Sequence, residues 1–393
     1  MQLLLFIIPG LLVAEPVINA RSAVLIDNTT GAILFEKNSN LSIPPASMTK
    51  LMTLYIVYKY IEDGKLSKDE LIHVGKNADF RSLPAHSSLM FLEKGQDVSL
   101  MDLMLGLAVP SGNDAAIAVA ERVAGSVQSF VNIMNLEAED LGLKSVHFED
   151  ASGLSKNNRV TAADFVRFCR IYIKTFPEAL KELHSVASFT YPKEKNWKTN
   201  GSSVYGPITQ NNRNNLLSVY APVDGLKTGY IDESGFNISL TAKQDGRRLI
   251  VVLLGGPGNN SSEGSLYRAV DGISLLSYGF YHFTNVKSEV PHFTAPKIWK
   301  GSEKSIELNI PEIPVITLTV EQAGLFRVKV DISKNIIAPI KKGDILGKVI
   351  QYSGEKILNQ YNITAAEDVP VSGFFMRMTD SIKIFFLKLA GDY

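Results

Sequence analysis

Three short patterns in this chain of 393 residues bring together side chains that can do nucleophilic chemistry, and the first is Ser47-Met48-Thr49-Lys50. Positions three apart on a helix share a face, so the Ser47 hydroxyl and the Lys50 amine become stacked neighbours. Pro44 and Pro45 can precede a helix but not continue one, and Gly64 can stop one, so the spacing predicts a helix from about Ser47 to Glu62. Most of its other positions are apolar, including Met48, Leu51, Met52, Leu54, Ile56 and Val57, which marks a helix buried on most sides. Burial disfavours an ammonium, and a second cation nearby would disfavour it further, so Lys50 can stand as a free amine near neutral pH. A free amine can take a serine proton, which makes Ser47 a nucleophile and Lys50 its base.

The second pattern is Ser111-Gly112-Asn113, in a tight connection between an apolar helix, Leu100 to Ala108, and a helix from Ala115 to Val123 that Asp114 can cap. Both polar side chains are free there to face a cleft. The third is Lys227-Thr228-Gly229, inside a strand running from Gly225 to Tyr230. Taken alone, each is ordinary: a capping serine with a snorkelling lysine, a polar turn, a strand with one charge. Their joint occurrence in this order is what points to chemistry.

The elements that must hold them follow from the surrounding pattern. Ser22 to Asp27 and Ala32 to Glu36 read as a hairpin around Asn28-Thr29-Thr30-Gly31, and Gly235 to Ala242 and Arg248 to Gly255 as two more strands joined at Asp245-Gly246. These strands and Gly225 to Tyr230 are expected to share one antiparallel sheet. Leu71 to Val74 and Ser88 to Leu92 read as short strands around a loop with Pro84, His86 and Ser87 on a cleft wall. A helix over Asn132 to Leu141 precedes an irregular loop from Phe148 to Thr161, and loops of that length tend to line sites. Asp164 lies on the next helix, where Cys169 is a small core residue. Gly255-Gly256-Pro257-Gly258 lacks the Gly-Lys-Ser/Thr of a phosphate loop and is a turn into a helix from Ser265 to Tyr278.

Composition narrows the function further. Lys+Arg and Asp+Glu balance at 40 each, so no bulk attraction to nucleic acid is implied. The 6 histidines lack metal-ligand spacing, so neither a metal nor a cofactor is expected, and a single cysteine rules out an internal disulfide. The length and a hydrophobic content of 45% suit two globular domains. The expected division is a secretory signal at 1–20, whose apolar run is too short to span a bilayer, a catalytic domain at 21–283, a β-rich domain at 284–371 and a helix at 372–393. That last helix carries Phe374, Met378, Ile382, Phe385 and Leu389 at helical spacing, interrupted by charge too often to cross a bilayer. It is expected to lie on a membrane surface.

The conjunction of Ser-x-x-Lys, Ser-Gly-Asn and Lys-Thr-Gly is the signature of penicillin-recognising serine enzymes. The chain resembles the low-molecular-mass penicillin-binding proteins, specifically D-alanyl-D-alanine carboxypeptidases of the DacA type, over nearly everything after the signal. The resemblance rests on Pro45-Ala46-Ser47-Met48-Thr49-Lys50, Ser111-Gly112-Asn113-Asp114-Ala115, Gly225-Leu226-Lys227-Thr228-Gly229-Tyr230, the β domain and the terminal helix. It implies an α/β (α+β) fold of the penicillin-binding-protein and β-lactamase kind, with an antiparallel sheet, a helical subdomain and the appended all-β domain. It implies attack by Ser47 on the bond between two D-alanines of a peptidoglycan stem peptide, with Lys50 as base, and covalent inhibition by β-lactams. In that reading the backbone N–H groups of Ser47 and Tyr230 form the oxyanion hole, Ser111 relays a proton and Asn113 holds the substrate amide. Lys227 and Thr228, with Arg213 as a further candidate, bind the terminal carboxylate, and Lys227 helps keep Lys50 neutral. Gly229 leaves room for substrate backbone beside the strand. The loop reads Ala151-Ser152-Gly153-Leu154 where several relatives carry His before Gly-Leu, and Ile231 follows Tyr230 where Thr is frequent. An exported protein at the periplasmic face of the inner membrane, peripherally held, is the location implied. Two rivals share some of these features: a β-lactamase, although no Glu-x-x-Leu-Asn lies between the first and third motifs, and a non-catalytic wall-binding scaffold, against which the intact Ser47, Lys50 and Lys227 speak.

Overall fold

The computed structural model describes residues 15–196, 206–333 and 335–390. Most of the expected signal, part of the polar stretch after Lys193 and the last three residues of the terminal segment lie outside the described residues. The chain divides into two compact units, one ending at Tyr281 and the next beginning at His282.

In the first unit, β1 (Ser22–Asp27) and β2 (Ile33–Lys37) lead to α1 (Lys50–Glu62), and β3 (Leu71–His73) and β4 (Asp97–Ser99) lead to α2 (Leu100–Ala108). Then come α3 (Asn113–Ala124), α4 (Val127–Asp140), α5 (Ala162–Thr175), β5 (Ser188–Tyr191), β6 (Ile208–Asn211) and α6 (Leu216–Val219). Three long strands, β7 (Val223–Ile231), β8 (Gly235–Gln244) and β9 (Arg247–Gly256), precede α7 (Ser261–His282). The expected antiparallel sheet forms with strand order β2-β1-β9-β8-β7, which leaves β7 and its Lys-Thr-Gly at an edge. Helices cover both faces. Cys169 of α5 meets Ser239 on one face, and Gly272 and Gly279 of α7 meet Leu240 and Leu249 on the other. A Cβ at Gly272 would fall 2.5 Å from Leu240, so the glycine sets how closely α7 approaches. α1 sits in the apolar core, with Leu51, Met52, Leu54 and Val57 fully buried.

Several sequence expectations are corrected here. Ser88 to Leu92 is not a strand, because His86 and Phe91 have φ of 65° and 69°, in the left-handed region that interrupts extended backbone. β3 pairs with β4 instead. Asp114 does not cap the helix after the second motif, which begins at Asn113 with Gly112 before it. Its buried carboxylate instead accepts the N–H groups of Met90 and Leu92 and pins the irregular 88–92 segment. α4 starts earlier than expected because the Ser126 hydroxyl accepts the Ser129 N–H, a capping signal ahead of the apolar run. α7 is longer than expected at both ends, since its small residues serve packing rather than breakage.

The second unit holds β10 (Phe283–Val286), β11 (Ile298–Trp299), β12 (Leu308–Asn309), β13 (Ile316–Thr319), α8 (Val320–Gly324), β14 (Phe326–Ile332), β15 (Ile336–Ile337), β16 (Ile345–Ser353), β17 (Lys356–Ala365) and α9 (Phe374–Ala390). Its main sheet runs β12-β17-β16-β14 over a core that includes Ile298, Ile340, Leu346 and Val369. The expected strand Ser305 to Leu308 shrinks to β12, and α8 was not anticipated, although Thr319 and Gln322 form a capping box at its start. α9 is held by the Lys300 N–H donating to the Asp380 carboxylate at 2.7 Å and by buried Ile384. Its Phe375, Phe385, Phe386 and Leu389 stay exposed. No helix among the described residues is long and apolar enough to cross a membrane.

Candidate active site

The chain enters α1 through one 3-10 turn, Ala46–Thr49, so Ser47 lies on that turn and not on the first α-helical turn that its sequence suggested. The tighter turn eclipses positions three apart, which brings Ser47 and Lys50 together more directly than an α-helix would. Ala46 has φ 51°, a left-handed conformation that a residue with a Cβ adopts at a cost of about 1–3 kcal/mol when the surroundings impose it. Two glycines permit the surroundings to close in. A Cβ on Gly229 would fall 2.5 Å from the Pro45 carbonyl oxygen, and one on Gly153 1.9 Å from that of Ala46. Gly229 therefore lets the β7 edge press against the nucleophile's turn, besides lining the groove beside it.

Lys50 is fully buried, and its amine donates to the Ser47 hydroxyl at 3.1 Å, the Asn113 side-chain oxygen at 2.7 Å and the Ser152 carbonyl at 2.6 Å. All three are neutral acceptors, so none offsets the loss of water as a carboxylate would. Burial lowers the Lys50 pKa to about 7, against opposing pulls from the Asp150 and Asp114 carboxylates. Burial is thus the first cause of its free-amine character, as the apolar pattern of its helix implied.

Lys227 is also buried, with its amine donating to the Thr228 carbonyl at 3.1 Å. Its pKa falls well below the ordinary lysine value, first through burial and then through the positive charges of Lys50, Arg213 and Arg268. The Ser239 hydroxyl donates to the Lys227 carbonyl from the paired strand and fixes the backbone there. Ser111 has φ 68°, and its hydroxyl oxygen is buried with no hydrogen-bond partner among the described residues. Leaving a buried hydroxyl unsatisfied costs about 1–3 kcal/mol, a cost removed once a polar group of a ligand arrives.

These residues meet at a groove of about 550 Å³, walled by Ser47, Ser111, Arg213, Thr228, Gly229 and Tyr230. Lys50, Asn113 and Lys227 are buried behind its surface. The structure thus brings together every site residue expected from the sequence. Tyr230 is half exposed, stacks on Phe236 with ring centroids 4.3 Å apart and donates its hydroxyl to Asp232. Sequence reasoning missed two charged groups. Arg268 of α7 lines the groove with its guanidinium 5.4 Å from the Phe236 ring, and its signal was an arginine on a helix flank otherwise given to small and apolar residues. Asp150 acts on the Lys50 amine through its charge, and its signal was an Asp with Ser152 and Gly153 two and three residues on, the composition of a side-chain-capped turn. No cluster able to hold a metal is found among the described residues. The one Glu-x-x-Leu-Asn of the chain, Glu355 to Asn359, lies at the start of β17 in the second unit.

A serine whose hydroxyl touches a depressed-pKa lysine, with arginines along the same groove, can attack a carbonyl in a ligand that ends in an anion. Comparisons with known proteins agree in kind. The family profile described as D-alanyl-D-alanine carboxypeptidase matches residues 11–258, and that of the penicillin-binding protein 5 C-terminal domain matches residues 286–371. The chain is 35% identical over 374 residues to the D-alanyl-D-alanine carboxypeptidase DacD of Escherichia coli, covering 93% of this chain and 90% of the relative. It is 32% identical over 388 residues to DacC of the same organism, covering 97% and 92%. Penicillin binding protein 5 from Haemophilus influenzae superposes with a TM-score of 0.75 at 32% identity, covering 91% of this chain and 99% of that structure.

Proposed function

The chain belongs to the D-alanyl-D-alanine carboxypeptidase family, and we propose from this that Ser47, Lys50 and Ser111 carry the reaction while Asn113, Lys227, Thr228, Tyr230, Arg213 and Arg268 hold the substrate. The enzyme is a serine-type carboxypeptidase that removes the terminal D-alanine of peptidoglycan stem peptides and is acylated by β-lactams. Lys50 takes the Ser47 proton as the oxygen attacks the carbonyl between the two D-alanines. The N–H groups of Ser47 and Tyr230 receive the developing oxyanion. Ser111 passes a proton to the departing amine, and water then releases the acyl group. The observation that carries this reading is the 3.1 Å contact between the Lys50 amine and the Ser47 hydroxyl at the floor of a cationic groove.

The C-terminal carboxylate of the substrate explains the cations. Burial first, and then crowding by Lys50, Arg213 and Arg268, disfavours the Lys227 proton in the free enzyme, and an entering carboxylate favours it again. Lys227→Ala is therefore expected to cut D-alanine release from diacetyl-L-Lys-D-Ala-D-Ala by about 100-fold, the loss of a charge-assisted contact. The same variant should lose little on the C-terminally amidated peptide, and equal loss on both peptides would remove Lys227 from carboxylate binding.

We further propose export through the 1–20 segment and peripheral attachment to the periplasmic face of the inner membrane through α9. The support for attachment is a helix with exposed Phe374, Phe375, Phe385, Phe386 and Leu389. Deleting Gly373 to Tyr393 should leave carboxypeptidase activity in place and move the protein from sedimenting vesicles to the supernatant. Continued sedimentation of the shortened protein would contradict attachment by this helix.

A further inference from the structure

The mechanism leaves one partly buried charged group beside the base unexplained. Asp150 precedes the loop that supplies the Ser152 carbonyl to Lys50, and its carboxylate takes six hydrogen bonds. One oxygen accepts the N–H groups of Ser152 at 2.6 Å, Gly153 at 2.5 Å and Leu154 at 3.3 Å, together with the Ser152 hydroxyl at 2.8 Å. The other accepts the Ser155 N–H at 2.5 Å and the Asn158 amide at 3.3 Å. Asn158 also donates to the Thr49 hydroxyl at 3.2 Å, on the same 3-10 turn as Ser47. This backbone does two things at the reacting atoms. The Ser152 carbonyl holds the Lys50 amine, and Gly153, at φ 91°, closes on the Ala46 carbonyl and the Ser47 nitrogen.

We propose that Asp150 is a positioning residue for the acyl-transfer step, folding the 152–155 backbone around its carboxylate so that the Ser152 carbonyl aims the Lys50 amine at Ser47. The proposal rests on Lys50 being the base, as inferred above. The carboxylate has a second consequence through its charge. Six donors outweigh the cost of its burial and keep it ionised, and it is the larger of the two negative influences on Lys50, ahead of Asp114. The charged groups that act on Lys50 are Asp150 from the loop and Asp114 from α3, with Lys227 from β7 coupled to it and Arg213 and Arg268 acting on Lys227. Among them, Asp150 favours the protonated amine most, so the enzyme trades some free base for an aligned one.

The two contributions separate by substitution. Asp150→Asn retains an oxygen for the N–H groups of Ser152 and Gly153, loses the Ser155 and Asn158 bonds and removes the charge. Asp150→Ala removes both. The test is the second-order rate of acylation by benzylpenicillin from pH 5 to pH 9, on the full chain, with thermal melting to select folded preparations. Wild type should show an acid limb, and a wild type that is not acylated at all would fail the proposed function rather than this inference. Asp150→Asn should move the acid limb down by about one pH unit, since a lost negative neighbour lets Lys50 shed its proton at lower pH. Asp150→Ala should show the same shift of the acid limb and lose about 100-fold on the plateau above it, the scale for an ångström of misplacement. An acid limb at the wild-type position in Asp150→Asn, or equal acylation by Asp150→Ala and wild type, would overturn the proposal.

Discussion

Ser47→Ala is expected to take no covalent label from fluorescent penicillin and to release D-alanine from diacetyl-L-Lys-D-Ala-D-Ala at least ~10⁴-fold more slowly than wild type. The physical reason is that the other groups of the groove only position, polarise or carry protons. Lys50 touches the reaction through the Ser47 hydroxyl, and an alanine leaves its amine donating to Asn113 and Ser152 with no proton to accept. The fold should survive the change, because Ser47 is a partly exposed residue on a short turn and its oxygen carries no structural bond besides the one from Lys50 among the described contacts. Retained labelling in a folded Ser47→Ala protein would place the nucleophile elsewhere and remove the basis of the mechanism.

The second large effect is at the base. Acylation by wild type should rise from acid pH through about 7 and then level, because only the unprotonated Lys50 can accept the serine proton and its pKa sits at about 7. Lys50→Arg keeps a cation in the same place but cannot give up its proton, so it should acylate about 10³-fold more slowly and lose that acid limb. A Lys50→Arg protein that keeps both the rate and the limb would sink the role of Lys50 as base. Stability carries the same signature with a definite sign. The lysine pKa drops on folding from 10.5 to about 7, so between those values the unfolded chain binds more protons. The stability contributed at this position therefore falls as pH drops through that window, and below it the buried ammonium costs on the order of 5 kcal/mol. The enzyme tolerates a destabilised site because a free amine is what the chemistry needs.

The central arrangement was legible from the chain because each of its three parts is a contiguous pattern. Ser47 and Lys50 are coupled by one helical turn, Ser111 and Asn113 by one connection, and Lys227 to Gly229 by one strand, so local geometry alone places the partners within each part. The sheet was legible for a similar reason: β1 with β2 and β8 with β9 are joined by short turns whose residues announce them. Groups that reach the site from far along the chain were not. Arg268 lies on α7, on the opposite face of the sheet from α5, and the small and apolar residues around it set it apart on its helix without saying that the helix brings it to the groove. Asp114 looked like a helix cap because capping and bracing use the same residue types. The hydrogen bonds from Met90 and Leu92, on a segment turned by the positive φ of Phe91 that the sequence does not reveal, show that its carboxylate serves the 88–92 wall.

The two rivals make different demands on the same groove. A β-lactamase must activate a deacylating water quickly, and the only Glu-x-x-Leu-Asn of the chain belongs to the β-rich unit, not to the unit that carries Ser47. A scaffold would have no use for a lysine held fully buried against a serine hydroxyl, at a cost to stability. Intact-protein mass spectrometry after mixing with benzylpenicillin, followed by digestion, puts the account to its most direct trial. The expected result is a gain of one penicilloyl group, persisting for minutes or longer and mapped to the peptide bearing Ser47. No adduct, an adduct on another residue, or one lost within seconds as penicillin is consumed would contradict the account.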